Sequence, residues 1–198
     1  KPTAVIRGAE ALAFTTTPSD TLRFLVAGDG EAPDITDERL APGDGPPLYL
    51  NADRDTARAQ VERMLEGTAI DVEDLRDDAP FVLVTATLPA RQRVADATSD
   101  TGLVALGLPR TYPRRPSGGE VPWSTCRRAA RGVRAEGLRG VLSRSAALAA
   151  AGRAGQELAW FPARGARASA VGEPLPFVAW RHETLDGSVP LSGAPARG

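Results

Sequence analysis

The stretch RLAPGDGPPLYLNADRDTARAQVER, Arg39 to Arg63, decides the fold of this 198-residue chain. It reads as an arginine, a Pro/Gly-rich turn, a short strand ending near Leu50, and a helix. Pro and Gly interrupt regular structure over 42–46, so that part turns. Pro47–Leu50 suits a short strand. Asn51 or Asp53 supplies a side-chain oxygen to cap a following helix. That helix runs to about Leu65, with Ala57, Val61, Met64 and Leu65 as its apolar stripe.

Working outward, Thr21–Val26 (TLRFLV) alternates and is expected as a strand. Ala27–Ile35 is a polar Gly/Asp/Pro loop, and Gly67–Pro80 is acidic and ambiguous. Phe81–Leu88 (FVLVTATL) is the clearest strand, and Arg93–Ala95 continues the sheet after Pro89. Gly102–Leu108 is expected as a short helix and Pro109–Pro122 as a surface loop. Ser124 can cap a helix through Glu136, with Gly137 as its stop. Gly140–Ser143, Glu157–Phe161 and Leu175–Trp180 are expected strands. The Ala-rich run after Ser143 is loop or short helix. Many short strands with few helices between them predict an α+β domain. Residues 1–20, weakly patterned and with TTTPSD as a turn, form an N-terminal extension. Residues 21–182 form the domain, and 183–198 a loose tail.

Composition narrows the function. Net charge is −1, so no basic field draws nucleic acid or an anionic membrane. No apolar run reaches the ~18 residues a spanning helix needs, and none at the N-terminus has secretory character. A cytoplasmic protein is expected. Lys1 is the sole lysine, so any anion site must be built from arginine forks. One histidine, His182, and one cysteine, Cys126, exclude zinc spacing and an internal disulfide framework. No metal or cofactor is expected. There is no P-loop, no GxGxxG opening a helix and no GxSxG elbow. Cys126 is expected as a packed thiol. Arg127, Arg131 and Arg134 share one helical face, expected to be solvated.

The order of short motifs goes further. Arg23 and Phe24 lie in TLRFLV. Arg39 precedes Tyr49 across the turn, LYLNADRDTARAQ steps from strand to helix, and PWSTCRRAARGVRAEGLRGVLSRS gives a late helix, a Gly-Val strand and Ser145. This order resembles the RES-domain family over roughly residues 21–180. The departures are Phe24 where the family has an aromatic hydroxyl, Leu40-Ala41 in the turn, and Gln60 where the family has a glutamate. Glu62 lies about 200° around the helix from Gln60 and points elsewhere.

The resemblance implies an ADP-ribosyltransferase-like fold with mixed or antiparallel sheets and a few short flanking helices. It also implies cleavage of the nicotinamide–ribose bond of NAD, by water or phosphate, by a toxin with an antitoxin partner. Mapped on this sequence, Arg23 and Arg39 would clamp the pyrophosphate, with Phe24 beside them. Tyr49 would line the nicotinamide-ribose pocket, Ser145 would orient the ligand, and Gln60 would hydrogen-bond the ribose. NAD is then a substrate and not a cofactor. Glutamine keeps the shape and loses the charge, a loss of ~10²–10³ in rate for one such contact. Restoring glutamate at position 60 is expected to raise activity. The alternative is a weakened RES-like domain that binds a nucleotide or a protein partner, or an acid supplied instead by Glu62 or the Asp71–Asp74 region.

Overall fold

The β-branched and apolar run at Val82–Thr87 forms one strand of a nine-stranded sheet. The computed structural model describes residues 14–17, 22–27, 47–75, 82–89, 92–162, 168–170, 172–173, 175–176 and 179. In chain order the strands are β1 (Phe14–Thr17), β2 (Leu22–Ala27), β3 (Leu48–Asn51), β4 (Val82–Thr87), β5 (Gln92–Ala97), β6 (Gly140–Arg144), β7 (Gln156–Trp160), β8 (Ser169–Ala170) and β9 (Leu175–Pro176). The helices are α1 (Arg54–Leu65), α2 (Asp100–Ala105), α3 (Trp123–Ala135) and α4 (Ala146–Ala150).

The sheet order is β1-β5-β6-β7-β3-β2-β4-β8, with β9 also pairing β4. Among these pairs only β5 with β6 is parallel. A mixed sheet with a few short helices is the α+β arrangement expected from the sequence. Tertiary pairing overrides the local reading at one place and bears out part of it at another. Thr15, Thr16 and Thr17, expected as part of a turn, pair in β1 with Val94, Arg93 and Gln92 of β5 in that order. Of the expected strand Leu175–Trp180, Leu175–Pro176 pair with β4.

Alternation splits the central strands between two cores. Leu50, Leu142, Leu158 and Trp160 pack with Val84, Ala86 and Val94. On the opposite face Ala95 and Ala97 pack with Leu103, Leu106, Val133 and Phe161, under α2 and α3. The backbones at Gly140 and Ala159 come close enough that a Cβ on Gly140 would lie 2.7 Å from the Ala159 carbonyl oxygen.

Helix ends follow their chemistry. Asp53 caps α1, its carboxylate accepting from Thr56 N at 2.7 Å. The buried stripe of α1 is Thr56, Ala57, Ala59 and Val61, whereas Met64, expected in it, is 49% exposed. Helix α3 begins at Trp123 behind Pro122, so Ser124 is not its cap, and Gly137 at φ 71° ends it. Ser145 caps α4, the short helix of the Ala-rich run, through Leu148 N. Ala59, Ala147 and Leu148 join α1 to α4. Among the described residues, no helix is long and apolar enough to cross a membrane.

Candidate active site

Register places the site. β7 lies between β3 and β6, pairing Glu157 with Asn51 on one side and with Ser143 on the other. Tyr49, Asn51, Glu157 and Ser143 therefore face the same side of the sheet. Asn51 is buried, and its Nδ2 donates to Gln60 Oε1 at 2.8 Å. Ser145 is buried where β6 ends, and its Oγ donates to Glu157 Oε1 at 2.5 Å. One hydroxyl thus serves two partners, donating to Glu157 and accepting from Leu148 N.

Glu157 is the residue that sequence reasoning missed. It is only partly open to solvent, and burial pushes its carboxyl above the usual carboxylate range. The Ser145 hydroxyl, the Arg63 guanidinium and the Ala146 backbone N–H oppose that shift without cancelling it. A regular signal for it exists, since QELAW alternates and puts Glu157 on the face opposite Leu158 and Trp160. What the segment does not carry is the pairing of β7 with β3 and β6, which flanks it on both sides.

Two tyrosines border this carboxylate. Burial, with Cys126 and Glu157 nearby, raises the Tyr49 pKa against the pull of Arg134, so Tyr49 stays protonated and can donate. Tyr112 comes from the loop between α2 and α3, whose 109–122 stretch was expected to lie on the surface. Its ring instead turns inward, hydrogen-bonded to the side chains of Cys126 and Ser143. Burial raises the Tyr112 pKa, and the Cys126 and Glu157 charges add to it. The Cys126 thiol packs against the α2–α3 core, and burial raises its pKa too.

Beside this row opens a cleft of about 610 Å³. Asp53, Tyr112, Arg114, Ser145, Arg153 and Gln156 are among its lining residues. Gln156 Oε1 is buried with no hydrogen-bond partner among the described residues, a costly state that a ligand donor would relieve. Gly155 lets β7 enter under α4, because a Cβ there would stand 2.2 Å from Leu148 Cδ1 and 2.8 Å from Thr56 Oγ1. The cleft's arginines are partly committed. Arg144 donates to the Thr98 and Arg110 carbonyls and to Asp100 at 2.8–2.9 Å. Arg153 pairs with Asp55.

The sequence-derived candidates divide as follows. Ser145 lines the cleft and touches Glu157. Tyr49 and Gln60 lie on the adjoining row, Gln60 through Asn51, and do not line the cleft. Arg23 and Phe24 are in β2, their backbones paired with Ala86 and Thr85, and Phe24 also with Asn51. Arg39 lies outside the described residues. Glu62 and Glu73 both bond Arg58, at 2.9 and 3.2 Å, and neither lines the cleft. Arg134, expected on a solvated face, lies 4.2 Å over the Phe161 ring. Among the described residues no cluster of His, Cys, Asp and Glu is placed to hold a metal.

No family model matches this sequence, and no curated protein matches it. Among solved structures, a chain of the M. tuberculosis MbcT–MbcA toxin–antitoxin complex superposes with a TM-score of 0.51. The match covers 79% of this chain and 87% of that one, at 18% identity. The likeness is one of fold. It spans most of both chains.

Proposed function

We propose that this protein cleaves the nicotinamide–ribose bond of NAD and acts as the toxin of a toxin–antitoxin pair. The observation that carries the reading is the meeting of Tyr49, Gln60 and Ser145 around the Asn51–Glu157 pair. A fold shared with a chain of a toxin–antitoxin complex supports the toxin role and an antitoxin partner. The RES-like order of motifs supports NAD as the ligand.

The chemistry is a substitution at the ribose carbon that holds the nicotinamide. The C–N bond breaks and its electron pair stays on nitrogen, neutralising the pyridinium. The sugar passes through an oxocarbenium-like state, as in glycoside cleavage. Water then bonds that carbon and releases a proton, giving ADP-ribose; phosphate in its place gives the phosphorylated sugar. The cleft supplies donors and enclosure. Gln156 Oε1 is an acceptor for an amide or amino group of the ligand. The Gln60 amide, its oxygen bound to Asn51, keeps its N–H donors on the row that adjoins the cleft. The Ser145 hydroxyl holds the neighbouring carboxylate in one orientation, which is positioning in the ordinary sense.

The test is release of free nicotinamide from NAD, with and without phosphate. Ser145→Ala should lower release by about 10-fold to 100-fold, since one orienting hydrogen bond is lost. Equal release by the variant would remove Ser145 from the site. A second reading, a nucleotide-binding module without turnover, is favoured by the amide at position 60. It predicts NAD binding in calorimetry without nicotinamide release.

A further inference from the structure

We infer that Glu157 supplies the carboxylate this site uses, so that the negative charge resides on strand β7 and not on helix α1. This inference rests on the reading of the site as NAD-cleaving. Two contacts and one exclusion carry it. Gln60 and Glu157 both border Asn51, one by a 2.8 Å hydrogen bond and the other as its cross-strand partner. Glu157 is fixed by the Ser145 hydroxyl at 2.5 Å, and Ser145 lines the cleft. Glu62 and Glu73, the other acids considered for the role, are bound to Arg58, whereas Glu157, itself behind the cleft lining, is held by a residue of that lining.

The pair is therefore an exchange of types across Asn51. A carboxylate at both positions would set two like charges around one amide, and one of them would take up a proton. With an amide on α1 and an acid on β7, a single charge is kept and both groups keep acceptor oxygens. The charge also sits in a better place to act. A partly desolvated carboxylate attracts a developing cation more strongly than an exposed one.

The groups facing Glu157 set how it titrates. They are Tyr49 from β3, Tyr112 from the α2–α3 loop, Arg63 from α1, Ser143 from β6, and Ser145 with the Ala146 N–H at the start of α4. Cys126 and Arg134 of α3 stand behind the tyrosines. Arg63 is shared with Glu120, so it offsets only part of the burial. Activity should accordingly rise with pH through a midpoint above the ordinary glutamate value of 4.5.

The experiment compares nicotinamide release from NAD by the wild type, Glu157→Gln, Gln60→Glu, the double variant and Glu62→Gln. Glu157→Gln should lose ~10²–10³ in kcat, the scale of one electrostatic contact in the transition state. Gln60→Glu should lower activity in the wild-type background, against the expectation from sequence alone, because two acids then crowd Asn51, but should restore activity when Glu157 is Gln. Glu62→Gln should match the wild type. An active wild type with Glu157→Gln within a few-fold of it, or with Gln60→Glu clearly faster, overturns the inference and leaves the NAD reading standing. A wild type that neither binds nor cleaves NAD overturns both. Should Glu157→Gln fail to fold, the wild-type pH profile decides: an acid limb above the ordinary range supports the inference, and a flat profile overturns it.

Discussion

At the residue scale, Glu157 and Asp96 show how the same side-chain chemistry is spent differently. Burial opposes ionisation of Asp96, but hydrogen bonds from Thr98 and Ser99 outweigh it and lower its pKa. Its carboxylate accepts from Thr98 N and Oγ1 and from Ser99 Oγ at 2.6–2.7 Å, fixing the entry to α2. Its stabilising share is present above the unfolded pKa and lost as pH falls through the folded one. Glu157 runs the other way. With its folded pKa raised, the folded state holds the proton longer than the unfolded state, so stability falls as pH rises from the unfolded value through the folded one. Glu157→Gln should therefore melt no lower than the wild type at neutral pH, and the wild type should gain on it towards acid pH. Thermal melts across pH would show this; a variant destabilised only at neutral pH would refute it. Ser145 and Tyr49 were legible in the sequence as members of an ordered motif set. Glu157 was not, because its cross-strand partner Asn51 comes from β3, far back along the chain, and Ser145 reaches it from the start of α4.

At the element scale, the cap and stop chemistry read from the sequence was sound for α1 at Asp53 and for α3 at Gly137. The stripe of α1 held at Ala57 and Val61 but not at Met64, because its packing partners are α4 and strands β2 and β3, which take small residues such as Ala57 and Ala59. Strand β1 escaped notice for a related reason: FTTT carries little apolar pattern and owes its state to pairing with β5. The tightest element junction is between β5 and α2. Gly102 is buried there, and a Cβ on it would lie 1.8 Å from the Asp96 carbonyl oxygen. Gly102→Ala must displace that turn or α2, and should cost about 1–3 kcal/mol or more. Denaturant unfolding measures it. A change within about 0.5 kcal/mol, the range of a neutral surface substitution, would show that the junction yields freely.

At the scale of the whole molecule, the mixed sheet performs two tasks. One face and the strand interiors bury Trp160, Leu158, Leu142 and Leu50 in a core. The other face assembles polar groups from β3, β6 and β7 into one row beside a cleft. The α+β class was legible in the spacing of short strands, whereas the strand order was not, since β7 enters between β3 and β6 from far along the chain. The central claim is that this row cleaves NAD. Its most direct test is the nicotinamide released when the full chain, at high concentration, is incubated with NAD in phosphate and in phosphate-free buffer. The account predicts slow, enzyme-dependent release of nicotinamide that falls with Glu157→Gln. No release above the buffer blank, together with no heat of NAD binding, would contradict it.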